Sequence, residues 1–184
     1  TVECDLHFSE KKLPIAVLAS PPGAGNTWVR YLLQQATGIY TGSVYHDQGL
    51  YDAGFLGEMA SPYDGQVLVS TIKNPHDMLN FSAVILLIRN IYAATLSEIN
   101  RKMTSNQTVI ADFNKFVLNT AKYLSHVVRI WLLDHRVPTL VVHYEDLIKN
   151  TVGEVTPVND HFFHFIAFIM CILWKAVRDP AASI

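Results

Sequence analysis

Ile15-Ala16-Val17-Leu18-Ala19-Ser20-Pro21-Pro22-Gly23-Ala24-Gly25-Asn26-Thr27-Trp28 is the stretch that decides the fold. Residues 15–19 are apolar without a break and stop at Pro21-Pro22-Gly23, as a strand buried on both faces does. From Thr27 the apolar positions Trp28, Tyr31 and Leu32, with Leu33 and Ala36, recur at helical spacing, and Gly38 is placed to end the helix. Between strand and helix lies Gly23-Ala24-Gly25-Asn26-Thr27, where successive backbone N–H groups and the helix N-terminus can face one anion. Small residues keep side chains out of the way, and Thr27 offers a hydroxyl at the helix start. The segment reads either as a phosphate or sulfate cradle or as a tight turn with an ordinary cap. It lacks the Lys-Ser/Thr ending of the nucleoside-triphosphate loop, which places a nucleotide kinase or ATPase last among the readings.

Outward from this stretch, strands and helices alternate. Residues 38–65, rich in Gly, Tyr and Asp, read as a long irregular excursion, and an excursion of that length in a compact domain is usually a functional loop. Val67 to Ile72 reads as a second strand and Ala83 to Ile88 as a third, followed by a helix from about Asn90 to Lys102. Residues 112–135 carry Phe113, Phe116, Val117, Ala121, Leu124, Val127, Val128 and Trp131 at i, i+3/i+4 spacing, the chain's most regular helical stripe. Thr139 to His143 reads as a fourth strand. The alternation predicts an α/β fold with a central parallel sheet flanked by helices, and ligands at the carboxyl ends of its strands.

Composition narrows the classes. Half of the 184 residues are apolar and 16% are charged, with 14 Lys+Arg against 16 Asp+Glu and a formal charge of −2. This balance points neither to nucleic acid nor to disorder, so any anion site is local. No repeat or linker divides the chain, and it reads as one domain, 1–184. Cys4 and Cys171, far apart, argue against a zinc site or a disulfide scaffold, and no metal is expected. No signal peptide opens at Thr1, and the chain is expected to be a fragment or a processed product. The apolar run Phe162 to Trp174, 13 residues interrupted by His164, is short for a membrane span and is read as a buried helix. Asn80-Phe81-Ser82 and Asn106-Gln107-Thr108 are glycosylation sequons, of consequence in a secretory compartment.

The third strand ends Leu86-Leu87-Ile88-Arg89-Asn90, with a guanidinium at its carboxyl end and Ser97 eight residues on. Arg89 has the geometry to fork onto a phosphate that Ser97 reaches from the next helix; the alternative is an ordinary surface arginine. Together the two segments carry a resemblance. Ala19 to Trp28 resembles the 5′-phosphosulfate loop of sulfotransferases, and Arg89-Asn90 with Ser97 resembles their 3′-phosphate motif. The Pro-Gly-Ala-Gly-Asn-Thr-Trp form is that of the WSC-domain-containing sulfotransferases in particular. Similar stretches recur at Ala36 to Ser43, Gly54 to Glu58, Glu98 to Lys102 and Val142-His143-Tyr144-Glu145-Asp146-Leu147. The likeness covers about residues 4–155, and 156–184 form a divergent tail without the Gly-rich basic loop that completes the family's 3′-phosphoadenosine site.

The resemblance implies a P-loop-like three-layer fold. It also implies transfer of a sulfuryl group from 3′-phosphoadenosine 5′-phosphosulfate (PAPS) to an acceptor hydroxyl, commonly on a glycan, without a metal and with no nucleic-acid partner. Gly23, Ala24, Gly25, Asn26 and Thr27 would hold the 5′-phosphosulfate, and Arg89 and Ser97 the 3′-phosphate. Trp28 would pack against the sheet or lie near the nucleotide. Many relatives carry a loop Lys or Arg where this chain has Gly23, and Lys73, at the end of the second strand, is the candidate replacement cation; otherwise it is a solvated strand-end lysine. The family's Lys-Thr-His appears here as Lys73-Asn74-Pro75-His76. His76 is the candidate general base or else a surface histidine, with Glu58 and Asp47 as weaker candidates. A Golgi lumenal domain of a type II membrane protein is implied, with any anchor upstream of Thr1. The competing expectation is a catalytically inactive module that binds a nucleotide or partner, favoured by Gly23, the displaced His76 and the divergent tail.

Overall fold

The computed structural model describes residues 5–73, 80–104, 113–133 and 137–151. His76, Asn106 and the 162–174 run lie outside the described residues. Five parallel strands form one sheet: β1 (Ala16–Ala19), β2 (Gly42–Ser43), β3 (Ser70–Ile72), β4 (Ala83–Ile88) and β5 (Thr139–His143), in the order β2-β3-β1-β4-β5. The helices are α1 (Asn26–Thr37), α2 (Gln48–Asp52), α3 (Ile91–Thr104), α4 (Phe113–Leu133) and α5 (Tyr144–Thr151), with a 3₁₀ turn at Leu56–Met59.

The unbroken apolar strands have the predicted cause, cover on both faces. Ala16 and Leu18 of β1, with Ala83, Ile85 and Leu87 of β4, face a core completed by Val29 and Leu33 of α1 and Leu147 of α5. The alternate residues Val17, Ala19, Val84 and Leu86 face the opposite core with Val127 and Trp131 of α4. Odd and even positions thus go to opposite layers, as the period of two requires, and the three-layer parallel α/β arrangement follows. The stripe of α4 is amphipathic: Leu124, Val127 and Trp131 are buried, while Leu118 and Leu133 remain exposed.

Two sequence expectations change. Among the described residues the sheet has five strands rather than four, because the excursion read as irregular contains β2, α2 and the 3₁₀ turn. The ladder of β3 starts at Ser70, although Val67, Leu68 and Val69 before it are buried. A strand of two residues carries no period-2 signal, so β2 has no trace in the apolar pattern.

What holds β2 at the edge is polar. Arg30 and Gln34, one turn apart on α1, are both buried and converge on Thr41. Arg30 donates through Nε to Thr41 Oγ1 at 2.9 Å and through Nη2 to the Thr41 carbonyl at 3.0 Å. Gln34 Oε1 accepts from Thr41 N–H at 3.1 Å and from its hydroxyl at 2.9 Å. Arg30 Nη1 donates to Glu58 Oε1 in an ion pair with neither side chain more than 1% exposed. Glu58 Oε2 in turn accepts from Asp47 N–H at 3.2 Å, and the Glu58 carbonyl meets His46 Nδ1 at 2.8 Å. Burial pulls the Arg30 guanidinium below its ordinary value, opposed by Glu58 and, more weakly, by Asp47.

Removing one charge of this pair strands the other. Glu58→Leu is expected to cost about 3–5 kcal/mol in urea-induced unfolding. Arg30→Met combined with Glu58→Leu should cost less than the two single changes summed. A loss below about 1 kcal/mol for Glu58→Leu, the range of an exposed pair, would show the pair to be solvated.

Candidate functional site at the carboxyl end of the first strand

β1 lies at the centre of the sheet, with β3 on one side and β4 on the other, so the chain reverses direction around it and opens a crevice at its carboxyl end. Residues 20–25 fill the floor of that crevice and lead into α1. Gly25, at φ +95°, is the N-cap of α1, and among the described residues no side chain caps the first helical turn. The N–H groups of that turn are thus left for an anion. Ser20, Asn26 and Thr71 tie the loop to the sheet: Asn26 Nδ2 donates to Ser20 Oγ at 3.0 Å, and Thr71 Oγ1 to Asn26 Oδ1 at 3.4 Å. Thr27 is exposed at the helix start and Ala24 is buried beneath the loop.

The two glycines are needed for different reasons. Gly23 has φ +77°, and a Cβ there would stand 2.2 Å from the Ala94 carbonyl oxygen and 3.2 Å from Glu98 N, so α3 packs directly on its backbone. No side chain fits at residue 23 on this backbone, so a loop cation has no place there. At Gly25 a Cβ would meet the Tyr144 ring at 2.4 Å.

Tyr144 joins the rest of the site. Its ring has the Arg89 guanidinium carbon 4.3 Å from its centroid on one side and meets Trp28 edge-on at 5.4 Å. Trp28 is half-buried against the core, the packing alternative stated for it above. Arg89 Nη1 donates to the Gly23 carbonyl at 2.9 Å, while its Nε is buried without a hydrogen-bond partner among the described residues. The arginine therefore braces the loop and keeps donor capacity in reserve. Glu145 Oε1 accepts from Asn90 N–H at 2.8 Å and locks the start of α5 to the end of β4. Ser97 is half-buried on α3, one residue before Glu98. Burial opposes ionisation of Glu98, but Arg101, at 2.7 and 2.9 Å, and Lys102 outweigh it and hold the carboxyl below the usual range; the same pairing raises Arg101. A cavity of about 270 Å³ opens between α3 and α4 beside Pro22, bordered by Glu98, Lys102 and Asn119.

Lys73 follows Ile72, which pairs with Ala19 across the ladder, so it stands beside Ser20 at the mouth of the crevice. The strand order thus sets Lys73, after β3, and Arg89, after β4, on either side of the loop that follows β1, and of the two Arg89 bonds to that loop. Glu58 is removed as a candidate base, since it is fully buried and paired with Arg30. The Asp47 side chain caps α2 by accepting from Leu50 N–H at 3.1 Å. Among the described residues no cluster of three His, Cys, Asp or Glu side chains forms a metal site, and no helix is long and apolar enough to cross a membrane. Tyr144 was missed as a site residue from the sequence; its place directly after a strand's carboxyl end, within a motif already noted, was the available signal.

A doubly wound parallel sheet with a glycine loop at its switch point defines the class: an α/β protein of the P-loop-like kind. The sulfotransferase domain family matches residues 14–162, and the chain belongs to that family. It is similar to a WSCD family member of Drosophila melanogaster, 35% identical over 168 residues, which are 85% of this chain and 53% of the relative. A WSCD family member of Drosophila pseudoobscura pseudoobscura is 34% identical over 170 residues (86% and 54%), and one of Aedes aegypti is 32% identical over 165 residues (79% and 52%). The chain spans about half the length of the curated relatives it matches.

The glycine contacts predict an asymmetry that unfolding measurements can read. Gly25→Ala is expected to destabilise by about 1–3 kcal/mol from the left-handed backbone alone, with a further loss from the ring contact that Tyr144→Ala relieves. Gly23→Ala meets a backbone carbonyl, so truncating a neighbouring side chain should bring no relief. Equal costs with and without Tyr144→Ala in the Gly25→Ala background would show that the ring does not close on the loop.

Proposed function

We propose that the chain is the catalytic domain of a sulfotransferase that uses PAPS and sulfates a glycan hydroxyl. The observation that carries this reading is the uncapped α1 N-terminus behind Gly23-Ala24-Gly25 at the sheet's switch point, in a chain of the sulfotransferase domain family. Those residues fit a phosphosulfate, because backbone N–H groups converge where no side chain can intrude. Bound PAPS supplies the sulfuryl group, whose sulfur loses its bond to the bridging phosphate oxygen as the acceptor oxygen attacks in line, the electron pair leaving with the phosphate. Gly23 to Thr27 orient that group through backbone donors and the helix dipole. Lys73 neutralises charge growing on the leaving oxygen. Arg89 and Ser97 hold the 3′-phosphate, and His76 takes the acceptor's proton.

Placement in the Golgi lumen, as part of a type II membrane protein, belongs to the same proposal and rests on the family resemblance. It is supported by Asn80 of the first sequon, which is exposed. The second reading, a nucleotide-binding module without turnover, is favoured by one observation: α3 seals residue 23 against any cationic side chain.

Calorimetric titration with 3′-phosphoadenosine 5′-phosphate, with ADP as the control, tests the donor site. The 3′-phosphorylated nucleotide is expected to bind preferentially. Arg89→Ala should weaken it by about 1.5–3 kcal/mol, the range for a charged hydrogen bond, and should weaken ADP less. Equal losses for both nucleotides would confine Arg89 to bracing Gly23, and no preference in the unaltered protein would refute the PAPS reading.

A further inference from the structure

Lys73 is exposed at the end of β3, where a lysine side chain ordinarily samples many rotamers. Here its surroundings fix it three ways. Its backbone N–H donates to the Tyr45 hydroxyl at 2.6 Å, and its carbonyl accepts from the buried Trp131 indole N–H at 3.1 Å. Its ammonium sits 4.3 Å from the centroid of the Tyr45 ring, within cation–π range. One tyrosine therefore holds both the main chain and the charged tip of the same lysine.

Tyr45 is itself anchored. Its N–H donates to Ser43 Oγ in β2 at 3.0 Å. The next residue, His46, adopts φ +52° and bonds through Nδ1 to the Glu58 carbonyl, so the backbone turns over the buried Arg30–Glu58 pair. The ring is thus carried next to the buried Arg30–Glu58 pair. Among the described residues no carboxylate lies within ion-pair distance of Lys73. That difference matters chemically, because a carboxylate would place the ammonium and cancel its charge together. A π face places it and leaves the full positive charge for an anion.

We propose that Tyr45 is a positioning residue for the transfer step, holding the Lys73 ammonium at the carboxyl end of β3 as the cation that residue 23 cannot supply. The proposal rests on the sulfotransferase reading and on Lys73 acting at the leaving oxygen. Tyr45 touches neither donor nor acceptor and acts through Lys73 alone, so its effect should vanish when Lys73 is absent.

The test uses the full 184-residue chain with two independent readouts. In NMR the Lys73 ε-methylene should resonate upfield of the ordinary lysine position through the ring current, stay there in Tyr45→Phe and return in Tyr45→Leu. Turnover is followed as release of labelled sulfate from PAPS to water, which needs no knowledge of the acceptor. Tyr45→Leu is expected to lower turnover by about tenfold or more, as misplacement of a reacting group does, with little change in affinity for 3′-phosphoadenosine 5′-phosphate. Tyr45→Phe should lie closer to wild type, and Tyr45→Leu on top of Lys73→Ala should add no further loss. Additive losses in the double variant would overturn the positioning role while leaving that of Lys73 intact. Wild-type turnover in Lys73→Ala, or none in the unaltered protein with donor bound, would overturn the underlying reading and the proposal with it, even with the ring-current shift present. An ordinary Lys73 resonance in the unaltered protein would overturn the ring contact itself.

Discussion

The buried ion pair between Arg30 and Glu58 is the constraint on which the site side of the molecule depends. Taking two charges out of water costs several kcal/mol for each, and the pair persists because its remaining hydrogen-bonding positions are filled. Thr41 accepts from Arg30, and Asp47 N–H donates to Glu58. The segment from Thr41 to Met59 offers few buried apolar side chains of its own, so this network does the work that a hydrophobic face does elsewhere. One partner lies on the helix that starts at the glycine loop, and the other lies in the turn that carries β2 and Tyr45 against the sheet. A disturbance of either charge therefore reaches both the loop and the mouth of the crevice.

The loop is built by exclusion as much as by attraction. α3 closes on Gly23 and the Tyr144 ring closes on Gly25, leaving a path only for main chain. Arg89 reinforces it by donating to the Gly23 carbonyl and stacking on the same ring. This close packing gives precise backbone donors and removes the space in which a loop lysine would stand. Positive charge is left to the neighbouring strand ends, to Lys73 after β3 and Arg89 after β4. Under the proposed function, the arrangement would separate two tasks, orientation by backbone amides and charge neutralisation by side chains from the flanking strands.

Much of the frame was legible in advance because both signals it rests on are local. The apolar runs 15–19 and 83–88 mark strands covered on two faces, and the spacing from Trp28 to Ala36, closed by Gly38, marks α1 to within a residue. The stripe on α4 and the fifth strand at Thr139–His143 fell where the pattern placed them. The excursion from 38 to 65 did not yield, since β2 is two residues long and its hold on the sheet comes from Arg30 and Gln34, polar residues that a hydrophobic pattern assigns to a solvated face. Glu58, a weak candidate base in the linear reading, is a buried structural anion for the same reason.

The sequence by itself determined the alternation of strands and helices, the parallel sheet, the glycine loop at the end of the first strand and the family to which the chain belongs. These depend on residue type and on spacing along the chain, both of which survive without coordinates. Tertiary structure alone decided which side chains meet: that Tyr144 covers Gly25 and stacks on Arg89, that Ala94 seals residue 23, and that Tyr45 carries Lys73. Such contacts join residues separated by 28 positions in the Lys73–Tyr45 bond and 66 in the Arg89–Gly23 bond. No local propensity encodes them, because they exist only once the sheet order brings the strand ends together.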